Sequence, residues 1–335
     1  MAEQPVTRYD RVHLARNRLR KVLGRHSVAL FRTLEQKIAD AGPKPMRINP
    51  HILTEAKQDL VGSGEVRVRV DGGSPWFYLA NTDPAVVTAR LAKQLPIHAR
   101  LREADVTKRI GQTLEIAIFK ALRQQQTLSF HGAFVDLDKH DDSTLYSKKE
   151  PPGDLNGRFL NKNKSLDFLI HHPTAGYAGI EAKNLREWLY PDRAEVLDLL
   201  HKCCTLDIVP VLIARRYPFV TFKLLNTCGV VVHETYNQMY PASEADFAAK
   251  AADKMLLGYH DIRVGTDPDK RLLRFLHVNL PKILPAARER FDQYKDLLSD
   301  YASGPMEYAE FAARVRRRSE GAHEDFDEPP TPDYY

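Results

Sequence analysis

Cysteine is scarce: Cys203, Cys204 and Cys228 are the only three in 335 residues. An odd count without ligand spacing argues against a disulfide framework and a thiolate zinc site. The adjacent pair Cys203–Cys204 reads as core thiols on a helix, so a reducing, cytoplasmic setting is expected. Apolar runs of membrane-spanning length are missing, and the N-terminus carries no signal-peptide hydrophobic stretch, so no membrane partner is expected. Internal repeats are missing too, which argues against a solenoid. Charge of one sign is not in large excess. The net +5 favours a polyanionic partner only mildly.

What is present fits a globular protein. Hydrophobic residues make up 43% and charged residues 28%, enough for a sizeable core, and the length suits two or three domains. Residues 1–26 are dense in arginine and read as a basic helix or arm. Val12, Leu19, Val22 and Leu23 give the helix a modest apolar stripe. Either it contacts phosphates or it is a solvated helix packed on the next domain.

Residues 27–80 combine two helical patterns with a hairpin. Ser27 opens a helix to about Ala41, and Gly42-Pro43 ends it. Met46-Arg47-Ile48 is a short extended piece. Asn49 and Pro50 start a second helix, with Leu53, Ala56 and Leu60 inward. EVRVRV at 65–70, the turn Asp71-Gly72-Gly73-Ser74 and the return strand from Trp76 to Leu79 make the hairpin. Alternation turns the valines inward and Arg67 and Arg69 outward. The order resembles a winged helix-turn-helix domain, which implies DNA or protein contact. On that resemblance Lys57 and Gln58, with His51 and Thr54, lie on the recognition helix, and Arg67 and Arg69 on a basic wing. Residues 81–106, with a helix ending before Pro96, read as a connector.

From residue 107 the order is helix (Lys108 to about Arg123, capped by Thr107), strand (128–135), a long polar segment (136–164), two strands, helix and buried strand (209–214). The acidic cluster Asp136, Asp138, Asp141 and Asp142 lacks the fixed glycine and distal glutamate of a calcium loop. It reads as solvated loop. Lys148, Lys149, Arg158, Lys162 and Lys164 could follow a nucleic-acid backbone.

The informative stretch is SLDFLIHHPTAGYAGIEAKN, from Ser165 to Asn184. Two extended runs flank the turn signal at 173–176. Gly179, Glu181 and Lys183 share one face of the second strand, while Ile180 and Ala182 face a core. A hairpin brings Asp167 beside Glu181 and Lys183. Two neighbouring carboxylates repel, and a divalent cation relieves that repulsion. Oxygen ligands suit Mg²⁺ or Mn²⁺. The bare spacing equally describes a surface hairpin with solvated charges.

The Asp167, Glu181-x-Lys183 pattern resembles the PD-(D/E)XK, or restriction-endonuclease-like, nuclease superfamily, with Leu166 where the name-giving proline would stand. The resemblance covers about residues 107–216. It implies an α/β, αβββαβ core and a metal-dependent endonuclease acting on DNA. Asp167 and Glu181 would hold the metal, with the Ala182 carbonyl as a further ligand. Lys183 would orient water and stabilise the phosphate, and Glu115 on the preceding helix would face the metal or be a solvated helix carboxylate. Arg215 and Arg216, ending the last strand, contact phosphate or solvate an edge. A non-catalytic DNA-binding or assembly protein on the same fold is the alternative. RNA cleavage ranks below both, since no RNA-binding motif is visible. The helical region to residue 318 packs on the sheet or builds a homodimer surface. The acidic, proline-rich residues 319–335 read as disordered.

Overall fold

The computed structural model describes residues 7–39, 48–139 and 141–323. The described residues form a mixed α/β protein that divides into two compact units. The first holds residues up to Thr107 together with Glu244–Ile262. The second holds Lys108–Ser243 and Arg263 onward. Sequence reasoning assigned 244–262 to the second unit, and the chain instead returns with it to the first. The expectations for Ala41 to Arg47 and for the tail beyond residue 323 lie outside the described residues.

In the first unit, α1 (Arg8–His26) begins at a reciprocal cap between Thr7 and Asp10. Strand β1 (Ala29–Leu30), α2 (Phe31–Ile38), α3 (Pro50–Gly62), β2 (Val66–Asp71) and β3 (Ser74–Leu79) follow. The three strands form one sheet in the order β1-β3-β2. The basic N-terminal helix is part of this body. Val12, Ala15, Leu19 and Leu23 recur at helical spacing and are buried with Leu34, Ile38, Leu53, Ala56 and Phe77. Its cations serve α3 and the turn after it. Arg8 pairs with Glu55 at 2.7 Å, Arg16 with Asp59, and Arg20 with Glu65 at 2.8 Å.

The expected connector is helical. Asp83 caps α4 (Pro84–Arg100), and the helix runs on through Pro96. Helix α5 (Ala104–Gln124) starts before Thr107. The Thr107 hydroxyl donates back to the Glu103 carbonyl at 2.9 Å instead of capping.

The second unit is a five-stranded sheet with helices on both faces. Strands β4 (Ser129–His131), β5 (Phe168–His172), β6 (Gly176–Lys183), β7 (Val209–Ala214) and β8 (Val231–Glu234) lie in the order β8-β7-β6-β5-β4. Strand β5 pairs antiparallel with β4 and with β6, and β6, β7 and β8 are parallel. Parallel neighbours need a crossover, and α6 (Ala194–Leu206) and α7 (Phe219–Thr227) supply the two. One face of the sheet, with Phe168, Ile170, Ile180, Ala182, Val211 and Ile213, packs on α5. The other, with Leu169 and Leu212, packs on α6 and the later helices. All six residues of β7 are buried, as expected for a central parallel strand covered on both sides.

Helix α8 (Ala245–Ala252) belongs to the first unit. In the second, α9 (Lys270–Arg274) passes through a π-helical turn, Phe275–Asn279, into α10 (Leu280–Ser303) and then α11 (Tyr308–Ser319). Neither Pro281 nor Pro285 breaks this helix. Pro281 follows directly on the π-helical turn, and the helix carries Pro285 within it. Gly229, at φ +79°, lets the chain approach α10: a Cβ there would lie 2.3 Å from the Ala287 carbonyl oxygen.

Candidate active site

Strand β6 delivers the central carboxylate. Its pairing with β5 sets Ile180 opposite Phe168, so Asp167, one step before β5, comes level with Glu181. Two backbone bonds fix that step. The Asp167 N–H donates to the Ile180 carbonyl at 3.1 Å, and the Ala182 N–H donates to Asp167 Oδ2 at 2.7 Å. Ala182 thus anchors Asp167 through its amide. Gly132 lets β4 approach this point: at φ +105°, a Cβ would stand 2.7 Å from the Asp167 carbonyl oxygen. Gly179 is needed for a different reason, since a Cβ there would meet Leu166 at 2.8 Å.

Glu115, from the middle of α5, joins the cluster through Lys148. The Lys148 ammonium lies 2.8 Å from Glu115 Oε2 and 2.7 Å from Asp167 Oδ1, with Glu150 farther off at 3.6 Å. Lys148 arrives on a short ladder, Lys148–Lys149 against Ala133–Phe134, inside the long polar segment. Burial, then the charge of Asp167, pushes Glu115 up to about 7, with Lys148 opposing. Burial works against the Lys148 charge, but Asp167 and Glu115 outweigh it and raise its pKa.

Glu181 is buried between two ammonium groups. Lys183 Nζ is 2.7 Å from Oε1, and Lys202 Nζ is 3.2 Å from Oε2. Burial and the charge of Asp167 raise the Glu181 pKa, while Lys183 and Lys202 draw it down. Lys202 lies on α6 and is only 5% exposed. It also pairs with Asp198, one turn earlier, at 2.7 Å, and Lys164 reaches Asp198 from the other side at 2.5 Å. Burial disfavours charge on Lys183 and Lys202, yet their carboxylate partners hold both pKa values above the usual lysine range.

Asp167, Glu181 and Lys183 therefore converge, as the strand pattern led one to expect, and Glu115, left open between the site and a solvated helix face, joins them through Lys148. Sequence reasoning missed Lys202 and the position of Lys148. Lys202 had a signal: it interrupts an apolar helical stripe, Leu199 and Cys203 being its neighbours at i−3 and i+1. Lys148 had none, because a polar segment carries no periodicity. Asn184, next in line, is a buried structural clasp. Its amide donates to the Ile110 and Met239 carbonyls at 2.5 and 2.6 Å.

The donor chemistry fits a hard divalent cation. Glu115, Asp167 and Glu181 offer carboxylate oxygens, and mutual repulsion within a buried cluster is what such a cation relieves. The carboxylates are arranged around ammonium groups, however. Among the described residues no group of three or more His, Cys, Asp or Glu side chains is set to hold a metal ion. The acidic loop supplies none either: Asp142 instead accepts from the Ala242 N–H at 3.0 Å and from the Tyr146 hydroxyl.

The other expected contacts are less uniform. Arg215 is 2% exposed and donates to the Arg186 carbonyl at 2.6 Å. It is a structural residue in the interior, which corrects its reading as a phosphate contact. Arg216 lies over the Tyr236 ring, 4.3 Å from its centre. In the first unit, Lys57 sits over the rings of Phe31 and Phe77 at 4.5 and 5.5 Å, and its burial lowers its pKa. It packs as a cation on aromatic faces rather than projecting. Gln58 is exposed.

The wing alternates less than expected. Only Val66 is buried, while Val68 and Val70 are 42% and 71% exposed. Helix α4 packs on the opposite face of that end, where Trp76 is fully buried against His98, and the valine face is left open. Arg67 and Arg69 are exposed and line a cavity of about 360 Å³ with Tyr78, Asn81, Thr82 and the start of α4. Arg69 is engaged, with Asp71 at 2.6 Å and the Thr88 hydroxyl at 3.3 Å. No described helix is long and apolar enough to cross a membrane. No family model, curated protein or solved structure matches the chain.

Proposed function

We propose that the protein is a Mg²⁺- or Mn²⁺-dependent DNA endonuclease, with the first unit, of winged-helix-like order, gripping the duplex. The observation that carries the reading is the meeting of Asp167, Glu181 and Lys183 at the end of paired strands β5 and β6, with Glu115 drawn in from α5. The helix, three antiparallel strands, helix and parallel strand order of the second unit supports the restriction-endonuclease-like assignment.

Asp167 and Glu181 would hold the cation, with Glu115 as a further ligand. When bound, the cation would polarise a phosphoryl oxygen and lower the pKa of water. The Ala182 amide holds Asp167 Oδ2, which leaves Oδ1 to meet the Lys148 ammonium. Lys183 keeps its proton because Glu181 outweighs its burial, so it presents a charged donor to a phosphate gaining negative charge. Lys202 holds the second oxygen of Glu181 and stops that carboxylate from turning away.

One observation favours a second reading, a non-catalytic DNA-binding or assembly protein. Lysines already satisfy the carboxylates of the cluster. A cleavage panel separates the two: supercoiled plasmid and duplex oligonucleotides with Mg²⁺, Mn²⁺ or EDTA, using wild type, Asp167→Asn and Lys183→Ala. The nuclease reading expects metal-dependent cutting that falls by about 10²-fold or more in Lys183→Ala with DNA affinity retained. Binding without cutting in either metal supports the second reading. Full cutting in EDTA rejects the metal-dependent mechanism.

A further inference from the structure

Resting on the nuclease reading, we infer that Lys148 is an exchangeable resident cation, which leaves Glu115 and Asp167 for Glu150 when a divalent metal binds. The Lys148 ammonium contacts Glu115 Oε2 and Asp167 Oδ1, the oxygens a metal would use. Two cations cannot share those oxygens, because like charges at such separations repel strongly in a poorly solvated site. One of the partners must move, and the anchoring decides which. Asp167 is pinned by the Ala182 amide at 2.7 Å, and Glu115 projects from the middle of a long helix. Lys148 has a flexible four-carbon stem and stands on a two-residue ladder.

A landing place is already present. Glu150 follows two residues later, so in extended chain it lies on the same side as Lys148, and its Oε2 is 3.6 Å from the ammonium. Glu150 is half-exposed, on the solvent side of the cluster. The geometry is one ammonium among three carboxylates, two inner and one outer. Metal affinity then depends on how often the ammonium sits outside, since a binding-competent state that is only partly populated weakens apparent affinity in proportion.

The test is Mn²⁺ titration by calorimetry on wild type, Lys148→Met, Glu150→Gln and the double variant. Lys148→Met should bind Mn²⁺ about tenfold more tightly, as expected if about a tenth of the wild-type molecules are competent. Glu150→Gln, a half-exposed change that spares the core, should bind several-fold more weakly. In the Lys148→Met background the same change should have no effect. That last arm excludes simple charge removal and direct ligation by Glu150, which would weaken binding equally in both backgrounds. Should Lys148→Met fail to fold, an unaltered affinity in Glu150→Gln still overturns the exchange. Equal Mn²⁺ affinity in all four proteins overturns the exchange while the nuclease reading stands, provided wild type cuts DNA. No Mn²⁺ bound by any of them overturns both.

Discussion

Replacing Glu115 by Gln removes a carboxyl that the fold holds protonated up to about 7, against an ordinary 4.5. Below pH 4.5 the group is protonated in folded and unfolded chains alike and contributes no pH dependence. Between 4.5 and about 7 the unfolded chain has released its proton while the folded one keeps it. Stability therefore falls as pH rises through that window, and is flat again above it. At roughly 1.4 kcal/mol per pH unit, the loss amounts to about 3 kcal/mol. Glu115→Gln should escape it, so its stability relative to wild type should climb by about that amount across the window.

The wild-type profile alone would mislead. Burial holds His233 down to about 4, so it contributes with the opposite sign, gaining stability as pH rises from about 4 to 6.5. The difference between variant and wild type cancels it. The chain helps the assay, because its two tryptophans, Trp76 and Trp188, fall one in each unit. In a Trp76→Phe background, Trp188 fluorescence follows urea unfolding of the second unit alone. Metal-free buffer is needed, since a bound cation would favour the ionised carboxyl. A difference that stays constant from about pH 4 to pH 8 would refute the placement of Glu115 in a buried, negatively charged cluster.

Three other outcomes are expected. Lys202→Met strands Glu181 in the interior; because Lys183 remains at 2.7 Å, the cost should sit near the lower end of the range for broken buried pairs, about 3 kcal/mol in urea unfolding. Adding Glu181→Gln should recover much of that loss, and strictly additive losses would mean the pair is not coupled. Changing Arg67 and Arg69 together to Ala should flatten the salt dependence of duplex binding by about one contact, roughly 0.9 in log–log slope, since Asp71 and Thr88 already engage Arg69; an identical slope would remove the wing from the DNA interface. Gly132→Ala drives a Cβ toward the Asp167 carbonyl from a left-handed backbone and should cost about 1–3 kcal/mol and disturb cleavage, so wild-type stability and rate would show that this approach does not set the site.

The site was legible where it rests on strand alternation. The face shared by Gly179, Glu181 and Lys183, and the level placement of Asp167, come from a two-residue period and one hairpin. Alternation failed in the wing, because it assigns side chains to faces without saying whether anything covers them. Val68 and Val70 alternate correctly yet remain exposed. In α1 the sequence left a phosphate-contacting arm and a packed helix equally open, and the apolar spacing of Val12, Ala15, Leu19 and Leu23 is what builds the observed packed helix. Arg215 ends a strand, a position that reads as solvated, but it is buried and donates to the Arg186 carbonyl. Lys148 depends on a nonlocal ladder, and no local pattern announces that.

The return of residues 244–262 to the first unit bears on how the protein can be taken apart. A fragment ending at residue 107 looks like a natural cut, since α1 to α4 and the wing are then complete. It would nevertheless leave out Glu244, which receives Arg100 at 2.7 Å and is itself buried, and α8, whose Phe247 lies under the same guanidinium. Such a fragment would expose the surface of α4 that those residues cover. A faithful isolated first unit needs both stretches of chain, joined by a short linker or supplied as two pieces. Its reciprocal, the second unit alone, needs the excision closed between Ser243 and Arg263 rather than a simple N-terminal deletion.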